Sequence, residues 1–197
     1  MIRVNLWREM KLIEIPAVDF DLAMTLDSGQ VFHWGKAGRG FVGTIGDCAS
    51  YVEQCGSILK AHISGAKLDG FKPSSFSKTV AHYFALDHQL AEIRASFPDD
   101  PVMNAARDFC RGLRIMRQPK WECLATFICS SMKQVAHIRQ ISLALRKRFG
   151  DPRKIDKHSQ HWIRIDSLDS IPIPSPHRRA IAALLSRIPL RPPVRGR

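Results

Sequence analysis

The side chains best suited to chemistry come directly after the most apolar run of the chain. That run, "ECLATFICSS" at residues 122–131, gives way within a few positions to a group in which all but the methionine are polar or cationic: Met132, Lys133, Gln134, His137 and Arg139. Such a group can contact nucleic acid, whose phosphates and base edges accept hydrogen bonds. It can equally begin an ordinary solvated helix, so the residue types alone leave both interpretations open.

Positive charge is concentrated in the part of the chain that starts at this point. The 197 residues have a formal net charge of +12, yet residues 1–129 hold 15 Lys/Arg against 14 Asp/Glu. Residues 130–160 contribute +6 and residues 161–197 contribute +5. A one-sided positive surface is typical of nucleic-acid binders, because neutralised phosphates release counterions. A solvated basic helix or a basic tail would give the same distribution.

Cysteine usage and hydropathy argue against several classes of protein. The five cysteines are odd in number and form no CxxC pair, so neither a disulfide framework nor a zinc site is expected. We therefore expect a reducing, cytoplasmic compartment. His158 and His161 offer two ligands without a third, so no metal site is predicted. No run reaches membrane-spanning length, and the charged N-terminal residues are unlike a signal peptide.

A small antiparallel sheet is predicted in the first third of the chain. Four strand-like segments are separated by glycine-containing turns, at residues 30–36, 40–46, 49–54 and 58–64. They should pair in sequence order as a meander, with one packed face and one wetter face. Phe32 and Trp34 are expected to belong to the sheet core. Residues 19–29 form a short helical or extended lead that ends in a Ser-Gly corner.

Helices should follow the sheet. Apolar spacing predicts a helix over residues 78–97 capped by Ser77, a second ending near Gly112, a third starting after Pro119, and a fourth with the stripe Val135, Ile138, Ile141 and Leu145. The outer face of the fourth helix is expected to carry Arg139, Arg146, Lys147 and Arg148. Residues 170–197 hold six prolines and six arginines without an acidic residue, which is typical of a tail or linker.

Three stretches resemble the 8-oxoguanine DNA glycosylase family and occur in the family's order. "LDSGQVFHW" at residues 26–34 is similar to its Ser-Gly-Gln-x-Phe-x-Trp signature, and "HYFALDHQL" at residues 82–90 to its Tyr-Phe-x-Leu-Asp element. Residues 112–150 resemble the Arg-Gln, Glu-Cys-Leu and Phe-Ile-Cys-Ser-Ser segment that enters the helix-hairpin-helix domain. The resemblance implies an α+β fold, in which a TBP-like antiparallel-sheet domain precedes an incomplete helical glycosylase domain.

The same resemblance implies three segments along the chain. Residues 1–110 would form the N-terminal glycosylase-type domain and residues 111–157 the start of the helical domain. Residues 158–197 would form a basic Pro/Arg-rich tail. The end of that tail resembles nothing in the family and is typical of a sequence translated out of frame.

Site residues are assigned by the resemblance alone. Gly29 matches the glycine whose carbonyl accepts from the N7 hydrogen that 8-oxoguanine has and guanine lacks. Met132, Lys133 and Gln134 stand where a loop fills the gap left by an extruded base, and His137 stands where an arginine usually contacts the opposite base. The family's eukaryotic pattern has three asparagines at that gap, so strict reading of an opposite cytosine is not implied. Arg139 completes the predicted DNA-binding set.

The implied function is base-excision repair of duplex DNA containing an oxidised purine, by a monomer without metal or organic cofactor. The family removes 8-oxoguanine and cleaves the abasic strand by β-elimination, using a lysine nucleophile, a distant aspartate and a helix-hairpin-helix. No hairpin signature follows Gly150 and no lysine follows Lys157. The chain is therefore expected to be truncated and inactive, with no catalytic residue assigned. The alternative is a non-catalytic nucleic-acid-binding protein or a broken gene product.

Overall fold

A five-stranded antiparallel sheet forms the first half of the molecule. The computed structural model describes residues 11–46, 48–64, 73–130, 134–155 and 158–163. The strands are β1 Ile13–Pro16, β2 Gly35–Ala37, β3 Gly40–Ile45, β4 Cys48–Cys55 and β5 Ile58–Ser64, in the order β1-β5-β4-β3-β2. The predicted meander from β2 to β5 is confirmed. The edge strand β1, whose Ile15 pairs with Leu59, was not predicted.

The first predicted strand begins later than its composition suggested. Residues 30–34 precede β2 and belong to no strand, and several of their polar groups have partners elsewhere. The Gln30 carbonyl accepts from the Gln118 side chain at 2.7 Å, and the His33 ring lies 3.1 Å from the Thr44 carbonyl. Trp34 packs over Gly43, where a Cβ would lie 2.3 Å from the indole ring.

Six helices occur among the described residues. They are α1 Leu22–Asp27, α2 Pro73–Tyr83, α3 Leu90–Ala95, α4 Pro101–Phe109, α5 Lys120–Ser130 and α6 Val135–Phe149. The single helix predicted over residues 78–97 is wrong, because the chain leaves the helix after Tyr83 and resumes at Leu90. Ala85 has φ of +52°, a left-handed conformation that ends a helix. No described helix is both long and apolar enough to cross a bilayer.

Both faces of the sheet are packed, so the predicted wetter face is wrong. One face carries the larger core with α1 and α2, through side chains that include Val52, Leu59, Phe76, Val80 and Phe84. The opposite face carries Val42, Ala49 and Tyr51, which pack with Ile155. Ile155 belongs to a hairpin of β6 Gly150–Ile155 and β7 His158–Ile163 that the sequence patterns did not indicate. The second face is therefore covered by residues about 100 positions away in the chain.

The segments inferred from the resemblance remain predictions. The hairpin starts within the segment predicted to open the helical domain, and β7 lies among the residues predicted as a tail. Because Ile155 packs into the core of the N-terminal sheet, the first two predicted segments share a hydrophobic core. Residues 164–197 lie outside the described residues.

One buried arginine ties the loops at the end of the sheet together. Arg114 donates from Nη1 to the carbonyls of Ala85 at 2.9 Å and His88 at 2.7 Å. Its Nη2 donates to the carbonyls of Val18 at 2.9 Å and Asp19 at 3.3 Å. A guanidinium has its donors in a fixed planar fork, so four carbonyls around it are held in one arrangement.

Replacing Arg114 with methionine should lower the free energy of unfolding by about 3 kcal/mol or more. The substitution keeps the apolar volume but leaves buried carbonyls without donors, each costing about 1–3 kcal/mol. Urea denaturation followed by circular dichroism measures the change. Arg111→Met, at an exposed position three residues earlier, is the matched control and should stay within about 0.5 kcal/mol. Equal losses in both variants would contradict the role given to Arg114.

Candidate nucleic-acid interface

The turn after α1 holds Gly29 in a conformation that favours glycine. Its φ is +84°, a region that side-chain-bearing residues enter at an energetic cost. The Gln30 side chain fixes this turn from the other side: its Nε2 donates to Ser28 Oγ and to the Arg114 carbonyl, both at 2.8 Å. Gln30 Oε1 accepts from the Met116 amide, also at 2.8 Å. The glutamine that follows Gly29 therefore anchors the backbone on which Gly29 lies.

An ion pair connects this turn to the basic helix. Arg139 of α6 donates from Nη2 to the carboxylate of Asp27, the last residue of α1. The two residues are 112 positions apart in the chain. Both side chains remain more than half exposed, so the pair lies on the surface beside solvent. Two of the predicted site residues, Gly29 and Arg139, are thereby brought to the same side of the molecule.

A cleft of about 430 Å³ lies beside the ion pair. Its walls come from α1, from residues 31–34, from β2 and β3 and from α6, and they include Leu26, Phe32, Trp34, Lys36 and Arg139. Trp34 packs against the core, as predicted, and its Nε1 donates to the Tyr83 hydroxyl at 3.1 Å. Phe32 is half-buried and contributes its side chain to the cleft. Apolar walls with cationic groups beside them suit a base and its phosphate.

The remaining predicted residues lie at or before the start of α6. Gln134 is exposed and directly precedes the helix, where its carbonyl accepts from the Ile138 amide at 3.0 Å. His137 is exposed in the first turn. Gln134 and His137 are three positions apart and are both exposed, whereas Ile138, the next residue, is buried. Met132 and Lys133 lie outside the described residues.

Arg146 is not on the outer face of α6, which corrects the prediction. It is buried, and both Nη atoms lie 3.3 Å from Oε1 of Glu122, which is buried on α5. The buried stripe of α6 runs through Ile138, Ser142 and Arg146 at intervals of four, while Val135 of the predicted stripe is 51% exposed. The ion pair therefore holds α5 against α6 on either side of residues 131–133.

A polar cluster surrounds this ion pair. Burial raises the pKa of Glu122 to about 7, against the opposing charge of Arg146. Burial together with the Arg146 charge keeps the pKa of His33 well below its usual value. Burial, with the nearby Glu122 carboxylate, raises the pKa of the Tyr83 hydroxyl. Within the described ranges, no group of three or more histidines, cysteines or acidic residues is arranged to hold a metal ion.

Sequence reasoning missed several residues that build this surface. Asp27, Gln30 and Lys36 lie inside or beside the "LDSGQVFHW" stretch, but nothing local marks Asp27 as the partner of a residue 112 positions away. Arg146 could have been placed from its spacing, because it lies eight residues after Ile138 and so returns to the same helix face. Its carboxylate partner, Glu122, lies in the Glu-Cys-Leu motif, where no local pattern marks it as buried.

The chain belongs to the 8-oxoguanine DNA glycosylase family. The family model described as "8-oxoguanine DNA glycosylase, N-terminal domain" matches residues 12–124. A curated relative, the N-glycosylase/DNA lyase OGG1 of Arabidopsis thaliana, is 28% identical over 149 residues, which is 68% of this chain and 36% of that protein. The chain thus spans little more than a third of that relative. The predicted family and its DNA-repair class are confirmed.

Solved structures support the same fold. MBOgg1, in a complex with a low-affinity DNA ligand, superposes with a TM-score of 0.71 at 25% identity, over 88% of this chain and 60% of that one. The apo form of the Clostridium acetobutylicum 8-oxoguanine glycosylase/lyase gives a TM-score of 0.68 at 20% identity, over 88% and 61%. The predicted α+β class, a five-stranded antiparallel sheet followed by helices, is confirmed.

Gly29→Ala should lower the free energy of unfolding by about 1–2 kcal/mol, because alanine is strained at a φ of +84°. Space is not the reason, since no atom lies within 4 Å of the position that a Cβ would take. Thermal and urea unfolding measure the loss. Gly35→Ala is the matched control, since it has similar open space without a positive φ, and it should change stability by less than about 0.5 kcal/mol.

Breaking the buried ion pair should be costly, whereas replacing both partners should cost less. At pH 8, above the pKa of about 7 that Glu122 has in the folded protein, Arg146→Leu leaves its carboxylate buried without a cation, and we expect a loss of about 3–5 kcal/mol. The double variant Glu122→Leu/Arg146→Leu removes both charges and should recover much of that loss. Urea denaturation of the single and double variants tests the coupling. A double variant no more stable than Arg146→Leu would show that the two side chains act independently.

The same carboxyl should make stability depend on pH. The pKa of Glu122 is raised from 4.5 in the unfolded chain to about 7 in the folded one, so the folded state binds the proton more tightly. Its stabilising contribution is complete below the unfolded value and is lost as pH rises through the folded value. We expect the free energy of unfolding to fall between about pH 4.5 and pH 7, and that fall to be smaller in Glu122→Gln. Urea titrations at several pH values provide the test.

Proposed function

We propose that this chain acts in the repair of oxidised purines, by binding duplex DNA as a monomer over the Gly29 turn, the cleft and the start of α6. The observation that carries the proposal is the contact between Asp27 and Arg139, which joins the turn to the basic helix. Family membership supports it. So does the Clostridium acetobutylicum enzyme, solved with double-stranded DNA containing cytosine opposite 8-oxoguanine.

Gly29 would provide the lesion contact. Its carbonyl would accept a hydrogen bond from the N7 hydrogen of 8-oxoguanine. Guanine has an acceptor at N7, so two acceptors would face each other and a buried polar group would lose its partner. The Gln30 contacts to Ser28, Arg114 and Met116 support this role, because they hold the backbone of the turn in place.

The basic helix would supply the sequence-independent part of DNA binding. Arg139, Lys147 and Arg148 are exposed on α6, and Lys36 is exposed beside the cleft. Cationic side chains in such positions neutralise phosphates and release counterions. Gln134 and His137, together with Met132 and Lys133, would face the gap opened when the target nucleotide leaves the stack. Asp27 would compete with phosphate for Arg139, because both present anionic oxygens to the same guanidinium.

Base excision is not proposed for residues 1–197 by themselves. An amine nucleophile must be desolvated beside the sugar, so that it is not held as an ammonium ion. The lysine that attacks the sugar in the family has no counterpart after Lys157 in this sequence. DNA binding without catalysis, which the exposed cations of α6 favour, is accordingly the activity proposed for this polypeptide.

DNA binding should be weak and steeply dependent on salt, with little preference for the lesion. Arg139→Gln should reduce the slope of log affinity against log salt by about 0.9 if one phosphate contact is lost. Fluorescence anisotropy on an 8-oxoguanine duplex and a guanine duplex measures both properties. Arg111→Gln makes the same change in net charge at a position away from the cleft and should leave the slope nearly unchanged. Affinity that did not vary with salt would remove the nucleic-acid proposal.

Purified residues 1–197 should neither release 8-oxoguanine nor form a covalent imine with the abasic sugar. Borohydride reduction in the presence of an 8-oxoguanine duplex traps such an imine as a stable adduct that is visible by gel electrophoresis. An adduct formed at catalytic rates would mean that another amine of this chain, such as Lys133, is the nucleophile. Lys133→Gln would then be expected to abolish trapping and would identify it.

A further inference from the structure

The residues on both sides of Gly29 are held by side-chain hydrogen bonds. Ser28 donates to the Thr25 carbonyl at 2.8 Å, which ties the residue before Gly29 to α1. Gln30 donates from Nε2 to Ser28 Oγ at 2.8 Å, so the two neighbours of Gly29 are also joined to each other. Gly29 itself is exposed, and no atom lies within 4 Å of the position that a Cβ would take. The turn is therefore fixed at its two ends and open at its centre.

Residues 114–118 hold Gln30 at three points. The Arg114 carbonyl accepts from the Gln30 side-chain amide, and the Met116 backbone amide donates to it, both at 2.8 Å. The Gln118 side chain makes the third contact, because its Nε2 donates to the backbone carbonyl of Gln30 at 2.7 Å. These contacts restrain the side chain and the carbonyl of Gln30 separately.

Gln118 uses only its donor in this arrangement. Its Oε1 is buried and accepts no hydrogen bond from the residues that the structure describes. A buried acceptor without a donor costs free energy, so stability alone does not account for a glutamine at this position. The group that the side chain supplies is the N–H that reaches the Gln30 carbonyl.

The restraint on Gln30 also fixes the peptide group that joins Gly29 to Gln30. Glycine by itself places little restriction on the orientation of that peptide. Gln30, in contrast, has a negative φ. Since its side chain and carbonyl are held, reversing the peptide would change the φ of Gln30 by about half a turn, into the positive region that residues with side chains rarely adopt. The contacts of Gln30 therefore keep the Gly29 carbonyl in one orientation.

The orientation of this peptide decides which base it would favour. Its carbonyl oxygen can accept from the N7 hydrogen of 8-oxoguanine, whereas its N–H group can donate to the N7 acceptor of guanine. A reversed peptide would therefore favour the undamaged base, because two donors or two acceptors facing each other leave a polar group unpaired.

We propose that Gln118 is a positioning residue for lesion recognition. Through the Gln30 carbonyl, it holds the Gly29–Gln30 peptide with the Gly29 carbonyl toward the base. This inference rests on the proposed lesion contact of Gly29. Gln118 does not contact the base and acts only through Gln30, so its loss should affect the choice between bases more than the affinity for the DNA backbone.

The orientation can be followed at the Gln30 amide, which belongs to the same peptide group as the Gly29 carbonyl. By ¹⁵N relaxation of the free chain, we expect an order parameter of about 0.85 for this N–H, and one below about 0.6 in Gln118→Met, which lacks the donor. Gln118→Lys supplies an N–H donor of similar reach and should restore the order parameter. Gln89→Met, at an exposed position without a side-chain cap bond, is the matched control and should leave it unchanged. Circular dichroism would show that each variant is folded.

Complexes with DNA give the second readout. The chemical shift of the Gln30 amide should differ between the chain saturated with an 8-oxoguanine duplex and the chain saturated with the matching guanine duplex. This difference should be lost in Gln118→Met and recovered in Gln118→Lys. The affinity of Gln118→Met for the guanine duplex should stay within about twofold of the native value, because the cations of α6 are unchanged.

The two readouts separate the positioning role from the lesion contact. If the native chain shows no difference at Gln30 between the two duplexes, the lesion contact proposed for Gly29 is wrong. If the native chain shows that difference and Gln118→Met keeps both the difference and the order parameter, the positioning role of Gln118 is wrong and the lesion contact stands.

Discussion

The arrangement of the loops depends on the need of one buried guanidinium for acceptors. Arg114 lies inside the protein, and its two Nη atoms donate to four backbone carbonyls, two from residues 18–19 and two from residues 85 and 88. Its own amide contacts the Thr25 hydroxyl at 3.3 Å, and its carbonyl accepts from Gln30. The side chain therefore fixes the lead into α1 and the break after α2, and the backbone of the same residue contacts α1 and the Gln30 side chain beside Gly29. A buried charge tolerates little movement of its partners, so these segments form one unit.

The sheet packs on both faces, and its second face positions the helices in the second half of the chain. Ile155 packs against Val42, Ala49 and Tyr51, so the hairpin that follows α6 is part of the core of the sheet. The ion pair between Glu122 and Arg146 then holds α5 against α6. The start of α6 lies between Glu122 and Arg146 in the chain, and Arg139 pairs there with Asp27 of α1. The segment 12–124 matched by the family model thus depends on contacts made by residues beyond it.

Interactions at the surface have a different role from those in the interior. The pair of Asp27 and Arg139 is exposed, and exposed pairs contribute only about 0–1 kcal/mol to stability. Its role is positional, because it joins α1 to α6; in the proposed DNA interface, phosphate would replace Asp27 as the partner of Arg139.

By itself, the sequence determined the family, the meander of β2 to β5, and the helices α5 and α6, because local alternation, turn glycines and helical spacing are carried by neighbouring residues. It also singled out Gly29 and Arg139. Only the tertiary structure decided that α2 ends at Tyr83, since the carbonyls of Ala85 and His88 accept from Arg114, which lies 29 and 26 residues further along the chain. The second packed face of the sheet, the burial of Arg146 and the pairing of Asp27 with Arg139 likewise rest on partners distant in the chain. The periodicity of one segment indicates which of its side chains are apolar on one face. It does not indicate which distant residues pack against that face, so these features could be assigned only from the folded structure.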